Sequence, residues 1–280
     1  MTSLFRHQSV RQLIRLAIDE DLGGGDVTTA AILPAERKIA ATISTRDTIV
    51  VAGLPITPVV FETVGVAVEV QIRVGEGVAV PAGAPLLSIR GDAAALLGVE
   101  RTLLNFLQRM SGVATLTRRY VDAVAGTAAQ IVDTRKTIPG WRLLDKYAVR
   151  TGGGRNHRLS LGDGILIKDN HIAACGGILA AVRQARARGS HLLRIEVECD
   201  TLAEVDEALT AGADAILLDN MSTQEMKEAV RKIAGRARIE ASGGMTLARV
   251  REVAEAGVDL ISVGALTHSA PAVDLTFELD

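Results

Sequence analysis

The chain has 280 residues, 31 basic against 33 acidic side chains and a formal net charge of −2. With 48% hydrophobic and 23% charged residues it carries enough apolar surface to build a core, which excludes intrinsic disorder. The near-zero charge excludes a general nucleic-acid binder. The longest apolar stretch, residues 49–61, is too short to span a bilayer and holds two prolines. Two cysteines, Cys175 and Cys199, cannot form a disulfide scaffold and match no metal-ligand spacing. The first dozen residues lack the apolar run of a signal peptide, so a soluble, cytoplasmic protein is expected.

In chain order, Val10, Leu13, Ile14 and Ala17 mark an amphipathic helix that Gly23, Gly24 and Gly25 stop. Strand-like runs follow at 38–45, 48–53 and 68–74, with a helix opening on proline between the last two. Residues 74–91 read as strand, turn, strand and resemble the hammerhead half of a lipoyl domain. No lysine lies between Lys38 and Lys136, which excludes a lipoyl or biotinyl carrier. A helix spans 92–125, with Arg101, Asn105 and Gln108 on what reads as its wet face. From 130 onward, short apolar strands (130–134, 164–168, 193–198, 214–219, 238–242, 259–264) alternate with helices (141–150, 177–188, 202–211, 223–234, 246–256), and 273–279 adds a seventh strand. Such alternation predicts a parallel sheet. With no GxGxxG after any strand, the expected form is an incomplete, about seven-stranded α/β barrel behind an N-terminal α+β sandwich domain.

The carboxyl ends of barrel strands carry active sites. Here the six ends hold Arg135 and Lys136, Lys168, Glu198, Asp219, Ser242 with Gly243 and Gly244, and Gly264. Four of them bear full charges of both signs, which points to a functional site. The glycine-bearing ends fit a phosphate gripped by backbone N–H groups at a helix start. Residues 135–158 carry seven cations and one anion, so that segment is +6 and the remainder −8. Within it TGGGRNHR, residues 151–158, supplies His157 and the forked donors Arg155 and Arg158, suited to carboxylates. Lys168 reads either as a point charge for an anion or as a Schiff-base nucleophile.

The stretches at 100–115, 133–158, 163–171, 196–199, 217–220, 240–244 and 263–271, with GDVTT at 25–29, together resemble the quinolinate phosphoribosyltransferase family. The resemblance implies an N-terminal domain at 1–112, which could also take the C-terminal strand, and a barrel domain at 113–280. It implies a homodimer or larger assembly in which each barrel mouth is covered by the other subunit, so that Arg101 reaches across instead of facing water. It implies quinolinate and phosphoribosyl pyrophosphate as substrates, with Mg2+. Quinolinate would be held by Arg101, Thr134, Arg135, His157, Arg158 and Lys168. The phosphoribosyl donor would be held by Lys136, Glu198, Asp219, Ser242, Gly243, Gly244, Val263, Gly264 and Ala265. The metal would sit on Glu198 and Asp219, directly or through water. Lys136, Lys168, Glu198 and Asp219 are the implied catalytic set. The rival readings are a paralogous pyrophosphorylase encoded with molybdate-transport genes, a Lys168 Schiff-base lyase, and a barrel that has lost its chemistry.

Overall fold

A computed structural model of the chain describes residues 3–34 and 36–280. Among these the strands are β1 (Lys38–Thr45), β2 (Ile49–Val50), β3 (Glu69–Ile72), β4 (Ala79–Val80), β5 (Pro85–Asp92), β6 (Gln130–Val132), β7 (Ile165–Ile167), β8 (Ile195–Cys199), β9 (Ala215–Asp219), β10 (Arg238–Ser242), β11 (Leu260–Ser262) and β12 (Leu275–Leu279). The helices are α1 (Gln8–Leu22), α2 (Val27–Ile32), α3 (Thr57–Thr63), α4 (Ala93–Ala123), α5 (Arg142–Thr151), α6 (Asp169–Cys175), α7 (Ile178–Arg188), α8 (Leu202–Ala211), α9 (Thr223–Ile233), α10 (Val250–Glu255) and α11 (Ala265–His268). No helix among the described residues is long and apolar enough to cross a membrane. The contacts gather the chain into two units, each discontinuous in sequence.

The first unit takes residues up to Arg118, Thr137–Gly153 and Thr267–Asp280. Its antiparallel sheet has the order β12-β1-β5-β3, and β2 and β4 form a separate ribbon. α1 buries Val10, Ile14 and Ile18 along one face and ends at Gly23, where a Cβ would stand 2.5 Å from the Asp19 carbonyl oxygen. Glu76 ties the unit together. It accepts the Gly53 and Leu54 N–H groups at 2.7 and 2.9 Å and the Tyr147 hydroxyl at 2.5 Å. Burial, then that hydrogen bond, raises the Tyr147 pKa far above its ordinary range. On α5, Asp145 is buried and takes Arg109 at 2.9 Å, and the Arg109 guanidinium also lies over Trp141.

The 273–279 segment is a strand, but not of the parallel sheet. It pairs antiparallel with β1, with Ala41 opposite Leu279 and Thr45 opposite Leu275. Asp274 and Glu278 punctuate it, and its burial fades from Leu275 outward. That is the pattern of a half-wet edge strand, whereas parallel barrel strands read as near-continuous apolar runs.

The second unit takes Arg119–Lys136 and Gly154–Leu266. Its six strands are all parallel, in the order β6-β11-β10-β9-β8-β7, and Arg155 adds an isolated parallel bridge beside Val132. Side chains two apart on a strand face the same way. Glu196 and Glu198 on β8, with Arg194 just before it, therefore share one inner face, as do Arg238, Glu240 and Ser242 on β10. The sheet encloses two cavities. One of about 560 Å³ lies toward the amino ends of the strands, where Gln130, Arg194, Ala215, Arg238 and Leu260 line it. The other, about 330 Å³, lies at the carboxyl ends. Reciprocal capping boxes start α8 (Thr201 with Glu204) and α9 (Ser222 with Glu225). Regular α10 begins at Val250, later than the expected 246, because Leu247–Arg249 first form a turn closed by the Arg249 N–H on Thr246.

Candidate active site

Every barrel strand brings at least one residue at its carboxyl end to the 330 Å³ cavity: Thr134 with Arg135 and Lys136 after β6, Lys168 after β7, Glu198 on β8, Asp219 on β9, Ser242 on β10 and Ser262 on β11. His157, Arg158, Leu166, Leu217 and Glu240 complete the lining. Nine expected residues thus meet in one space: Thr134, Arg135, Lys136, His157, Arg158, Lys168, Glu198, Asp219 and Ser242. Gly243 and Gly244 follow Ser242 in the adjoining loop, and Val263, Gly264 and Ala265 follow Ser262; none of the five lines the cavity wall. Gly264 stands directly before α11, while Gly243 and Gly244 precede α10 by more than a turn. Arg101 belongs to the first unit, exposed on α4 beside the equally exposed Asn105.

The basic segment divides. Arg135, Lys136 and Arg158 line the cavity, and Arg155 lines the amino-end cavity. Arg142, Lys146 and Arg150 lie on α5 in the first unit. Burial and then the charge of Arg135 push the Arg158 guanidinium below its ordinary pKa. Two like charges held this close make an anion site. Arg158 also donates to the Gly164 carbonyl at 3.2 Å, which fixes its reach.

Lys168 donates to Glu198, and the Lys168 side chain is 43% exposed. This is the opposite of the dry, partnerless amine that Schiff-base chemistry needs, so the anion-holding role fits Lys168 better. Asp219 accepts the Asn220 amide at 2.6 Å. Asn220 has a left-handed φ of 54°, and its N–H donates to the Ser242 carbonyl at 3.1 Å. Gly243 has φ 87°, and a Cβ there would lie 2.1 Å from the Asn220 side-chain oxygen. Only glycine fits at that position. Arg249 clips the two loops together through the Gly243 carbonyl at 3.2 Å and the Met221 carbonyl at 2.7 Å.

Glu198 and Asp219 end neighbouring strands and present carboxylate oxygens to the same cavity. Hard oxygen donors in a pair suit Mg2+, which characteristically uses one or two protein carboxylates and completes its shell with water and substrate phosphate. Glu240 and Ser262 were not singled out in the sequence. Glu240 is 1% exposed, and burial, then the charge of Glu196, pushes its carboxyl up to about 8. His157 Nε2 lies 3.2 Å from Glu196 and 3.6 Å from Glu240. Burial alone would lower the imidazole's pKa, but the Glu196 hydrogen bond and the two carboxylate charges outweigh it, so the pKa lies above its ordinary value.

Fold and site are those of a parallel-barrel enzyme for densely anionic substrates. Residues 26–111 match the family model described as "Quinolinate phosphoribosyl transferase, N-terminal domain", and residues 113–278 match that of the C-terminal domain. The nicotinate-nucleotide pyrophosphorylase [carboxylating] of Mycobacterium leprae is 44% identical, with both chains fully covered. The probable enzyme of the same name from Bacillus subtilis is 40% identical over 98% of this chain and 94% of its own. The crystal structure of NadC from Streptococcus pyogenes superposes with a TM-score of 0.92 at 39% identity, covering 96% of this chain and 95% of that one. The chain belongs to the quinolinate phosphoribosyltransferase family.

Proposed function

We propose that this protein transfers the phosphoribosyl group of phosphoribosyl pyrophosphate to the ring nitrogen of quinolinate, releasing pyrophosphate and CO2 and forming nicotinate mononucleotide for NAD synthesis. One observation carries the reading: a single cavity joins Arg135, Arg158 and Lys168 to Glu198 and Asp219. The cations match two adjacent carboxylates, and the acids match a sugar carbon that becomes cationic.

Arg135, Arg158 and Lys168 hold the dicarboxylate, with Thr134 and His157 at the same wall, and orient the ring nitrogen toward C1 of the ribose. Lys136 faces the departing pyrophosphate. As the C1–O bond breaks, Glu198 and Asp219 stabilise the oxocarbenium-like carbon and hold the ribose hydroxyls. Glu198 and Asp219 would hold Mg2+, which would neutralise charge on the pyrophosphate. Ser242 and the backbone of Gly243, Gly244, Val263, Gly264 and Ala265 bind the 5′-phosphate. Bonding of N1 to C1 leaves the pyridine nitrogen cationic. The C2 carboxylate then departs as CO2, its bonding pair stays on C2 beside the cationic nitrogen, and a solvent proton completes the ring.

Arg101 acts in the cavity of a second copy, which makes a homodimer the smallest active form. The N-terminal domain extends to about residue 112 with the barrel domain beyond it, and the protein works in the cytoplasm. The deciding experiment incubates the protein with quinolinate, phosphoribosyl pyrophosphate and Mg2+, runs nicotinate in parallel, and follows nicotinate mononucleotide by chromatography. Product from quinolinate alone is expected. Product from neither substrate by folded protein overturns the reading.

A further inference from the structure

Two carboxylates are assigned no step of that reaction, although Glu240 lines the same cavity. Glu196 stands two residues before Glu198 on β8, and Glu240 stands two before Ser242 on β10, so both lie one inward step deeper than the residues at the mouth. Glu240 Oε1 is buried without a hydrogen-bond partner, which is costly unless the rest of the carboxyl group is held by something. Both carboxylates converge on one atom, His157 Nε2, at 3.2 and 3.6 Å.

The opposite side of the ring is equally engaged. His157 Nδ1 accepts the backbone N–H of Arg158 at 2.8 Å, and the backbone N–H of His157 itself donates to Asp133 Oδ1 at 2.9 Å. A neutral imidazole that accepts at Nδ1 must carry its proton at Nε2. We infer that Glu196 and Glu240 are positioning residues for the anion site: Glu196 accepts Nε2–H, Glu240 packs against the same nitrogen, and together they turn Nδ1 to the Arg158 N–H and so fix the peptide from which Arg158 enters the cavity. The pair, Glu240 buried and Glu196 half-buried, acts through His157.

His157, Glu196 and Glu240 also offer three ligand atoms within 4.8 Å of one another, a spacing open to a metal ion. The ring argues against that use. A metal on Nε2 needs its lone pair and leaves the proton on Nδ1, where second-shell partners are acceptors; here Nδ1 faces a donor.

Ring-15N spectra of histidine-labelled protein, taken once His157 is neutral, test the assignment. Wild type is expected to show the Nε2–H tautomer at His157, and Glu196→Gln a mixture of both. The kinetic arm rests on the proposed reaction. There Glu196→Gln should raise the KM for quinolinate about tenfold, as expected for loss of one charge-assisted hydrogen bond, and leave the KM for phosphoribosyl pyrophosphate within about twofold. Glu240→Ala should do likewise, and Glu240→Gln should recover most of that loss; this second site serves if Glu196→Gln fails to fold. An Nδ1–H tautomer in wild type, or an unchanged spectrum and quinolinate KM in Glu196→Gln, overturns the inference. So does uptake of one equivalent of Zn2+ by wild type that Glu240→Gln abolishes. A protein that makes no product overturns the reaction, while the tautomer still decides the positioning role.

Discussion

Glu240 is a carboxyl whose charge the fold opposes, and the direction of its effect on stability follows from linkage. Its pKa in the folded protein, about 8, lies above the ordinary 4.5. Between those values the folded chain keeps a proton that the unfolded chain releases, so stability falls as pH rises through that window. The raised pKa of His157 works in the same sense: its contribution is complete below 6.5 and is lost as pH rises through the folded value. Glu240→Gln cannot ionise. Wild type should therefore melt progressively lower relative to Glu240→Gln between about pH 5 and pH 8, read by differential scanning calorimetry; a constant difference would refute the ionisation. At the mouth, Glu198→Ala and Asp219→Ala should each lower kcat by about 100-fold or more, the scale of one lost transition-state contact, with quinolinate binding by calorimetry changing far less. Equal losses in both would remove the roles assigned to them. The mouth residues were legible in the sequence because each stands where an apolar strand ends. Glu196 and Glu240 were equally available two positions earlier, but inside the strands they passed as ordinary members of short runs, and only the meeting at His157 shows what they do.

Elements long enough to display a period were readable. α4, α7, α8 and α9 begin and end within one or two residues of the expected limits. α2, α6 and α11 have six, seven and four residues, too few for a hydrophobic stripe to repeat, and α2 is marked chiefly by the Asp26 cap that accepts the Thr29 N–H at 3.0 Å. Glycine inside a helix normally costs about 1 kcal/mol against alanine, so Gly112 in α4 looks like a site for improvement. The fold reverses that expectation, since a Cβ there would stand 2.1 Å from the Pro271 carbonyl oxygen. Gly112→Ala should destabilise by ~1–3 kcal/mol in urea titrations, the range for overpacking, and a gain would show that the segment before β12 yields easily. On the loops after β9 and β10, Arg249→Ala removes a clip and leaves the backbone path allowed, whereas Gly243→Ala forces a side chain into Asn220. Both should raise the KM for phosphoribosyl pyrophosphate, Gly243→Ala by the larger factor.

At the scale of the whole molecule, linear reading divides the chain near residue 112, whereas the contacts return 137–153 and 267–280 to the first unit. The place of the C-terminal strand was open to the first part from the start, whereas the return of 137–153 was illegible because the alternation of strands and helices continues unbroken through 141–150. Arg101 shows the same limit at its strongest. Its exposure on α4 is indistinguishable from that of any wet-face residue. If each cavity borrows Arg101 from its neighbour, Arg101→Ala and Lys168→Ala proteins should each be nearly inactive alone. Mixed under conditions that exchange subunits, they should regain a substantial fraction of activity, because some dimers then hold one intact site. No recovery, with exchange confirmed by mass spectrometry, would place Arg101 outside the reaction. The pairing of β12 with β1 bears on how the chain is made. Thr42 donates to Asp280 across 238 residues of sequence, so during synthesis β1 waits with an open edge until almost the last residue described here has left the ribosome. The barrel strands, whose neighbours lie mostly close in sequence, can settle meanwhile. Assembly thus runs against the order of translation, with the first unit completed last, and an unpaired β1 edge is the place where a nascent chain would invite misassociation.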